Sequence, residues 1–224
     1  MKILALGDCN TKGIEECYNN AYPELLAKKL HADVLNIGHT MATTREGVEL
    51  FNEVKDQYFD IVLISFGLTD SWKTFKYAPY VLYYPDNPRR KLLRKIVKKF
   101  KKIGKKLNFI ELLGEESVVP EKEYIENIQY IIKHFKDSKI FILDTLPKKE
   151  EYRNVSIKKY NLLLDLFVKF DNVIRIELYD YFDVHRELFL DKTHLNTKGY
   201  EYISEQIFDT IENFKNGNRD KELG

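Results

Sequence analysis

The chain has 224 residues, 44% of them hydrophobic and 32% charged, with a formal net charge of +1. That composition excludes a disordered chain, and the near-zero net charge excludes a global field directed at nucleic acid. Two cysteines, Cys9 and Cys17, exclude a disulfide framework, and no apolar run approaches the roughly 18 residues of a membrane span.

The first element is the apolar run Lys2–Leu6, which ends in Gly7-Asp8-Cys9. It is too short for a signal-peptide core and is interrupted by Asp8, so the expectation is a cytoplasmic protein with reduced thiols. Asn154-Val155-Ser156 fits a glycosylation sequon that carries no meaning in that compartment. A helix is expected from Pro23 to about Leu30, with proline in its first turn. A second strand follows at Val34–Ile37. Thr43 or Thr44 can cap the next helix, with Glu46 and Glu49 in its early turns. Asp60–Phe66 is the clearest strand, and it ends in Gly67-Leu68-Thr69-Asp70.

Beyond it lies an aromatic, irregular stretch, Tyr77–Pro85, and then Arg89–Lys106, with eleven basic residues and no acidic one. Leu92, Leu93, Ile96, Val97, Phe100 and Ile103 recur there at helical spacing, which predicts a basic amphipathic helix. Further elements are a helix from Pro120 and Glu121 to about Phe135, a strand at Lys139–Leu143, a helix from about Ser156 to Phe170 and a strand at Val173–Ile176. The last helix is capped by Thr197 and carries Tyr200, Ile203, Ile207 and Ile211 on one stripe. Near-continuous β-branched runs alternating with amphipathic helices predict a parallel five-stranded sheet covered on both faces. One domain over residues 1–215 is expected, with a basic helical insertion at about 72–118 and a frayed polar tail at 216–224.

In such sheets reactive groups gather at the carboxyl ends of the strands, where Cys9, Gly38 and Gly67 all fall. A cysteine at a strand mouth is a candidate nucleophile; the competing reading is a buried structural thiol. Asp191 precedes His194 by three residues, a spacing that lets the carboxylate orient one imidazole nitrogen while the other faces outward as a base. The competing reading is that Asp191 only caps a turn. Thr69 places a hydroxyl where an oxyanion donor is useful, and Gly38 can offer its backbone N–H. His39 reads as a turn residue in preference to a pocket residue. Asp8, Asn10, Asp70 and Trp72 complete the candidate pocket.

In order, Gly-Asp-Cys, a strand-end glycine, Gly-x-Thr-Asp and Asp-x-x-His resemble the blocks of the SGNH hydrolase superfamily of GDSL-type esterases, from Gly7 to His194. The resemblance implies a flavodoxin-like three-layer α/β/α sandwich. It implies Cys9 in the place of the serine nucleophile, with Asp191 and His194 as acid and base. The backbone N–H groups of Cys9 and Gly38 become oxyanion donors, and Thr69 stands where the family has asparagine. Cysteine for serine implies a thioester intermediate. Threonine for asparagine shortens one donor arm, and Asn10 is a candidate replacement.

The function implied is acyl-ester hydrolysis, of a carbohydrate O-acetyl ester in the first instance, by a Cys-His-Asp triad. O-acyl transfer to a glycan or lipid-linked precursor is the alternative. A further alternative is a weakened or inactive binding module on the same fold, and the retained Asp191–His194 pair argues against it. A redox or metal role for Cys9 ranks last, because no ligand cluster surrounds it; neither metal nor cofactor is expected. The expected partner is a small-molecule or glycan ester, not nucleic acid. The basic helix 89–106 has three readings: a core-packed helix with a solvated lysine face, a peripheral contact with anionic lipid headgroups, or a contact with an anionic glycan.

Overall fold

The computed structural model describes residues 1–222, with side chains described through Phe214. In chain order the elements are β1 (Lys2–Gly7), α1 (Cys9–Lys12), α2 (Tyr22–Leu30), β2 (Asp33–Asn36), α3 (Thr44–Val54), β3 (Ile61–Ser65), β4 (Lys73–Phe75), α4 (Pro88–Lys106), α5 (Phe109–Leu113), β5 (Glu115–Ser117), α6 (Glu121–His134), β6 (Lys139–Leu143), α7 (Glu151–Leu163), β7 (Val173–Ile176), α8 (Tyr179–Val184) and α9 (Thr197–Glu222). Five strands form one parallel sheet in the order β2-β1-β3-β6-β7. The order reverses beside β1, so β1 and β3 flank the crevice where doubly wound folds place their sites.

The continuous apolar runs are explained by two cores, one on each face of the sheet. Leu4, Leu6, Val62, Ile64, Ile140 and Ile142 face a core built with Phe51 of α3, Ile128 of α6 and Tyr160 of α7. Their neighbours Ile3, Ala5, Ile61, Leu63, Phe141 and Leu143 face the opposite core, with Leu26 of α2, Phe182 of α8 and Ile203 of α9. With period-2 alternation, burial on both faces demands an apolar residue at every position. The stripe Tyr200, Ile203, Ile207 and Ile211 is buried against this second core.

Local chemistry sets the boundaries. Thr43 caps α3 in a capping box: its hydroxyl accepts from Arg45 N, while the Glu46 carboxylate accepts from Thr43 N at 2.9 Å. The cap of α9 is Asn196, not Thr197, because Asn196 Oδ1 accepts from Gly199 N at 3.1 Å. Helix α7 begins at Glu151, earlier than its apolar pattern suggests. The Asn154 side chain organises that start by accepting from Lys148 N and donating to Lys148 O. The tail expectation at 216–224 falls beyond the described side chains, and residues 223–224 lie outside the described residues altogether.

Strands β4 and β5 pair antiparallel, and Val118 N and Val119 N donate to Trp72 O and Asp70 O. This ladder closes the base of the loop that carries α4 and α5. The aromatic stretch before α4 has no regular structure and is pinned to α3 through buried Glu46. That carboxylate accepts from Tyr80 OH at 3.0 Å and from Tyr83 N at 2.7 Å. Helix α4 is not packed into the core by its apolar stripe. Leu92, Leu93, Ile96, Phe100 and Ile103 are 42–60% exposed, which removes the core-packed reading of this helix. Val97 and Gly104, with Arg90, Arg94 and Lys101, form its inward face. A Cβ at Gly104 would meet the rings of Phe75 and Phe109 at 2.8 Å, so the glycine is what lets the helix lie against that aromatic cluster.

Candidate active site

Gly7 ends β1 without a side chain because a Cβ there would overlap Thr11 Oγ1 at 2.0 Å. The chain then turns into α1, with Asp8 as its cap, accepting from Asn10 N at 2.9 Å. Cys9 therefore opens α1 at the mouth of β1. Among the described residues no other side chain hydrogen-bonds its Sγ, which has only the backbone N–H groups of Cys9 and Asn10 beside it. The thiol is buried in a small apolar cluster with Leu68, Ile157 and Tyr179. Burial pushes the thiol up strongly, and the neighbouring Asp8 carboxyl adds to it.

Asp191 and His194 are brought together. His194 Nδ1 lies 2.7 Å from Asp191 Oδ2, and the backbone N–H groups of Thr193 and His194 both donate to Asp191 Oδ1 at 2.7 Å. Burial works to raise the Asp191 carboxyl, but the His194 ring and these N–H groups outweigh it and hold the acid below its ordinary value. An ionised Asp191 accepting from Nδ1–H leaves Nε2 as the basic nitrogen. Asn10 Nδ2 donates to Thr193 O at 3.2 Å, which ties the Asp–His loop to the turn carrying Cys9. The structure thus docks the Asp–His loop on the turn that carries Cys9. It does not join Cys9 Sγ to the imidazole by a hydrogen bond.

The donors expected for an oxyanion divide. Gly38 N–H is engaged by Asn36 Oδ1 at 3.0 Å and so is not free, a correction to the sequence reading. Gly38 is glycine because a Cβ there would meet Lys12 N at 2.6 Å, a packing role against α1. Three residues on, Met41 adopts a left-handed backbone (φ +65°), and its N–H forms no hydrogen bond among the described residues. Met41 and Thr69 line one pocket of about 300 Å³ together with Trp72, Tyr80, Arg94 and Lys101. The Thr69 hydroxyl is likewise without a hydrogen bond among the described residues. Gly67, at φ +136°, turns the chain into Thr69, and a Cβ there would overlap Thr145 Oγ1 at 2.2 Å.

Asp70 is a buried brace. Its Oδ1 accepts from Thr44 N and Thr44 Oγ1, both at 2.8 Å, joining the end of β3 to the start of α3. Burial pushes Asp8 and Asp70 each up to about 7. His39 is a turn residue: its N–H donates to Gly7 O and its ring stands edge-on to Tyr84. Burial lowers its pKa.

Two cations at this site escape sequence reasoning. Lys148, after the carboxyl end of β6, is buried with its Nζ over the Trp72 ring at 5.4 Å. Burial and the neighbouring Arg153 pull its ammonium down, while Glu150 and the Cys9 thiol hold it up. Arg153 covers the same indole at 4.9 Å. The available signal was position after a parallel strand; residue type alone marks neither. Among the described residues no group of acidic, histidine or cysteine side chains could hold a metal ion.

A parallel sandwich with a candidate nucleophile at the first strand mouth and an Asp–His dyad before the last helix defines the hydrolase class of the GDSL esterases. The chain belongs to the GDSL-like lipase/acylhydrolase family, whose model matches residues 5–202, and it is accordingly a carboxylic ester hydrolase by family. No curated protein matches it. Similar solved structures include a lipase/acylhydrolase from Enterococcus faecalis, at 19% identity and TM-score 0.66, covering 95% of each chain. An acetyl-xylooligosaccharide esterase, Axe2, of Geobacillus has 16% identity and TM-score 0.64, covering 93% of this chain and 92% of its own. A lipolytic protein of the G-D-S-L family from Veillonella parvula has 11% identity and TM-score 0.61, covering 93% and 97%. Catalytic mutants of Axe2, one at a histidine and one at an aspartate, are also similar, with TM-scores of 0.63 and 0.61. At these identities the likeness establishes the shared fold.

Proposed function

We propose that this protein hydrolyses small acyl esters, in the first instance O-acetyl groups of a carbohydrate, with Cys9 as nucleophile, His194 as base and Asp191 as its orienting acid. The observation that carries this reading is the 2.7 Å His194–Asp191 hydrogen bond on a loop that Asn10 ties to the Cys9 turn. Cys9 Sγ attacks the ester carbonyl carbon, the carbonyl electron pair moves to oxygen, and His194 Nε2 takes the thiol proton. The N–H groups of Cys9 and Met41 and the Thr69 hydroxyl are the candidate donors to that oxyanion. Collapse forms the thioester and expels the alkoxide, which takes its proton from His194. Water then attacks the thioester with its proton passing to His194, and the acid and free thiol are released. Lys148, beside the thiol, favours the thiolate against the burial that opposes it. The choice of an acetyl group is supported by the substrate named for the similar Geobacillus esterase. Transfer of the acyl group to a second alcohol uses the same intermediate.

A non-catalytic module that binds an ester or sugar is the second reading. It is favoured by the Cys9 thiol lying among Leu68, Ile157 and Tyr179 without a hydrogen bond to His194. Incubation with an activated acetyl ester separates the two. The hydrolase gives an acetyl adduct on Cys9 by intact mass and steady turnover, both lost in His194→Ala. Absence of adduct, with Cys9 alkylated no faster than an ordinary buried thiol, assigns the binding module.

A further inference from the structure

We propose that the insertion is a membrane-docking device, and that the outer face of α4 and α5 seats on the surface of an anionic lipid bilayer. Helix α4 presents three faces when its residues are set out at the helical angle. Arg90, Arg94, Val97, Lys101 and Gly104 turn toward the body. Leu92, Leu93, Ile96, Phe100 and Ile103 form an adjacent apolar face, all 42–60% exposed. Lysines 91, 95, 98, 99, 102, 105 and 106 form the third. Leu107, which closes α4, and Ile110, Leu112 and Leu113 of α5 extend the apolar face, 40–76% exposed. Among the described residues, nine of the 22 exposed large hydrophobic side chains fall between Leu92 and Leu113, a tenth of the chain. That concentration distinguishes a functional surface from the scattered exposure normal to any protein.

Charge selects the occupant. Helix α4 carries eleven basic residues and no acidic one. Of these eleven, only Lys91 and Arg94 pair with a carboxylate among the described residues, both with Asp86. A second copy docking face to face would set like charges against like. A polyanion such as nucleic acid would answer the lysines and leave the apolar face in water. An anionic bilayer answers both, with acyl boundary for the leucines and isoleucines and headgroups for the adjoining lysines. No described helix is long and apolar enough to cross a membrane, so the contact lies in the plane of the interface.

The mount is firm. The β4–β5 ladder holds the base, the Phe75, Phe100 and Phe109 rings pack edge to face, and Arg94 Nη1 donates to Leu82 O at 2.9 Å. The inward face of α4 supplies Arg94 and Lys101 to the pocket that also holds Thr69. Docking on this face therefore brings the candidate site to the membrane margin, where an amphiphilic ester can reach it.

The test is co-sedimentation of the full chain with vesicles, a readout independent of any esterase activity. Binding is expected to phosphatidylcholine–phosphatidylglycerol vesicles at roughly 2:1 and at least about tenfold weaker to pure phosphatidylcholine, falling with added salt. The combined variant Lys95→Glu, Lys99→Glu, Lys102→Glu, Lys106→Glu should lose more than about a hundredfold, at roughly fivefold or more per charge. Leu92→Ser, Ile96→Ser, Ile103→Ser should lose about tenfold or more. Both should keep the parent melting temperature, since every altered side chain is exposed. The proposal fails if the parent chain does not bind anionic vesicles at low salt. It fails if the apolar variant binds as tightly as the parent, which would make the face a general polyanion site. It fails equally if the parent is a dimer by sedimentation equilibrium that the apolar variant dissolves, which would make a second copy the occupant.

Discussion

Helices α9 and α4 carry the same kind of apolar stripe and treat it in opposite ways. On α9, Tyr200, Ile203, Ile207 and Ile211 are buried in the core on one face of the sheet. On α4, Leu92, Ile96 and Ile103 repeat at the same spacing and stand in water, while the helix meets the body through arginine, glycine and aromatic contacts. Helical periodicity therefore specifies that a face exists. What covers the face is decided by the rest of the molecule. In the body the stripe is part of folding; in the insertion it is available for something else.

Substitutions can sharpen this contrast. The largest effect is expected at the site that the body positions. His194→Ala should cut ester turnover by roughly a thousandfold or more while leaving the melting temperature near that of the parent; equal turnover would remove the dyad from the mechanism. Next is the buried stripe. Ile207→Ala should cost about 2–5 kcal/mol in denaturant unfolding, and a cost near zero would mean that α9 does not carry the second core. Third is the buried acid beside the site. Burial raises the folded Asp70 carboxyl to about 7, above the unfolded value of about 3.9. Its contribution to stability is therefore complete at low pH and is lost as pH rises through about 7. Asp70→Asn keeps an acceptor for Thr44, so its melting temperature should fall less than the parent's between pH 5 and pH 8 as tested in a range about those values; parallel profiles would refute the assignment. Smallest is the exposed stripe. Ile96→Ala should change unfolding by less than about 0.5 kcal/mol, and a loss as large as that of Ile207→Ala would mean that α4 is covered after all.

Much of the architecture was legible because its determinants are local. The five strands announce themselves as β-branched runs, since burial on both faces leaves no room for polar alternation. Asp191 and His194 are three residues apart, so one tight turn delivers their hydrogen bond. Gly38 misled for a related reason. Its place after a strand suggested a free donor, but Asn36, two residues back, closes on its N–H, while Met41 adopts the left-handed turn that sequence propensity reserves for glycine. Lys148 was invisible because its proximity to Cys9 joins segments about 140 residues apart.

By itself the sequence determined the parallel sandwich, the strand-end placement of Cys9 and Thr69, the Asp–His dyad and the existence of a basic amphipathic helix, because each depends on residue type and short spacing. Only the tertiary structure decided which N–H groups remain free, that the charge of a buried lysine acts on the Cys9 thiol, and that the apolar face of α4 is left uncovered. Those outcomes depend on which distant segments occupy the space around a side chain, and chain-local propensity contains no term for that.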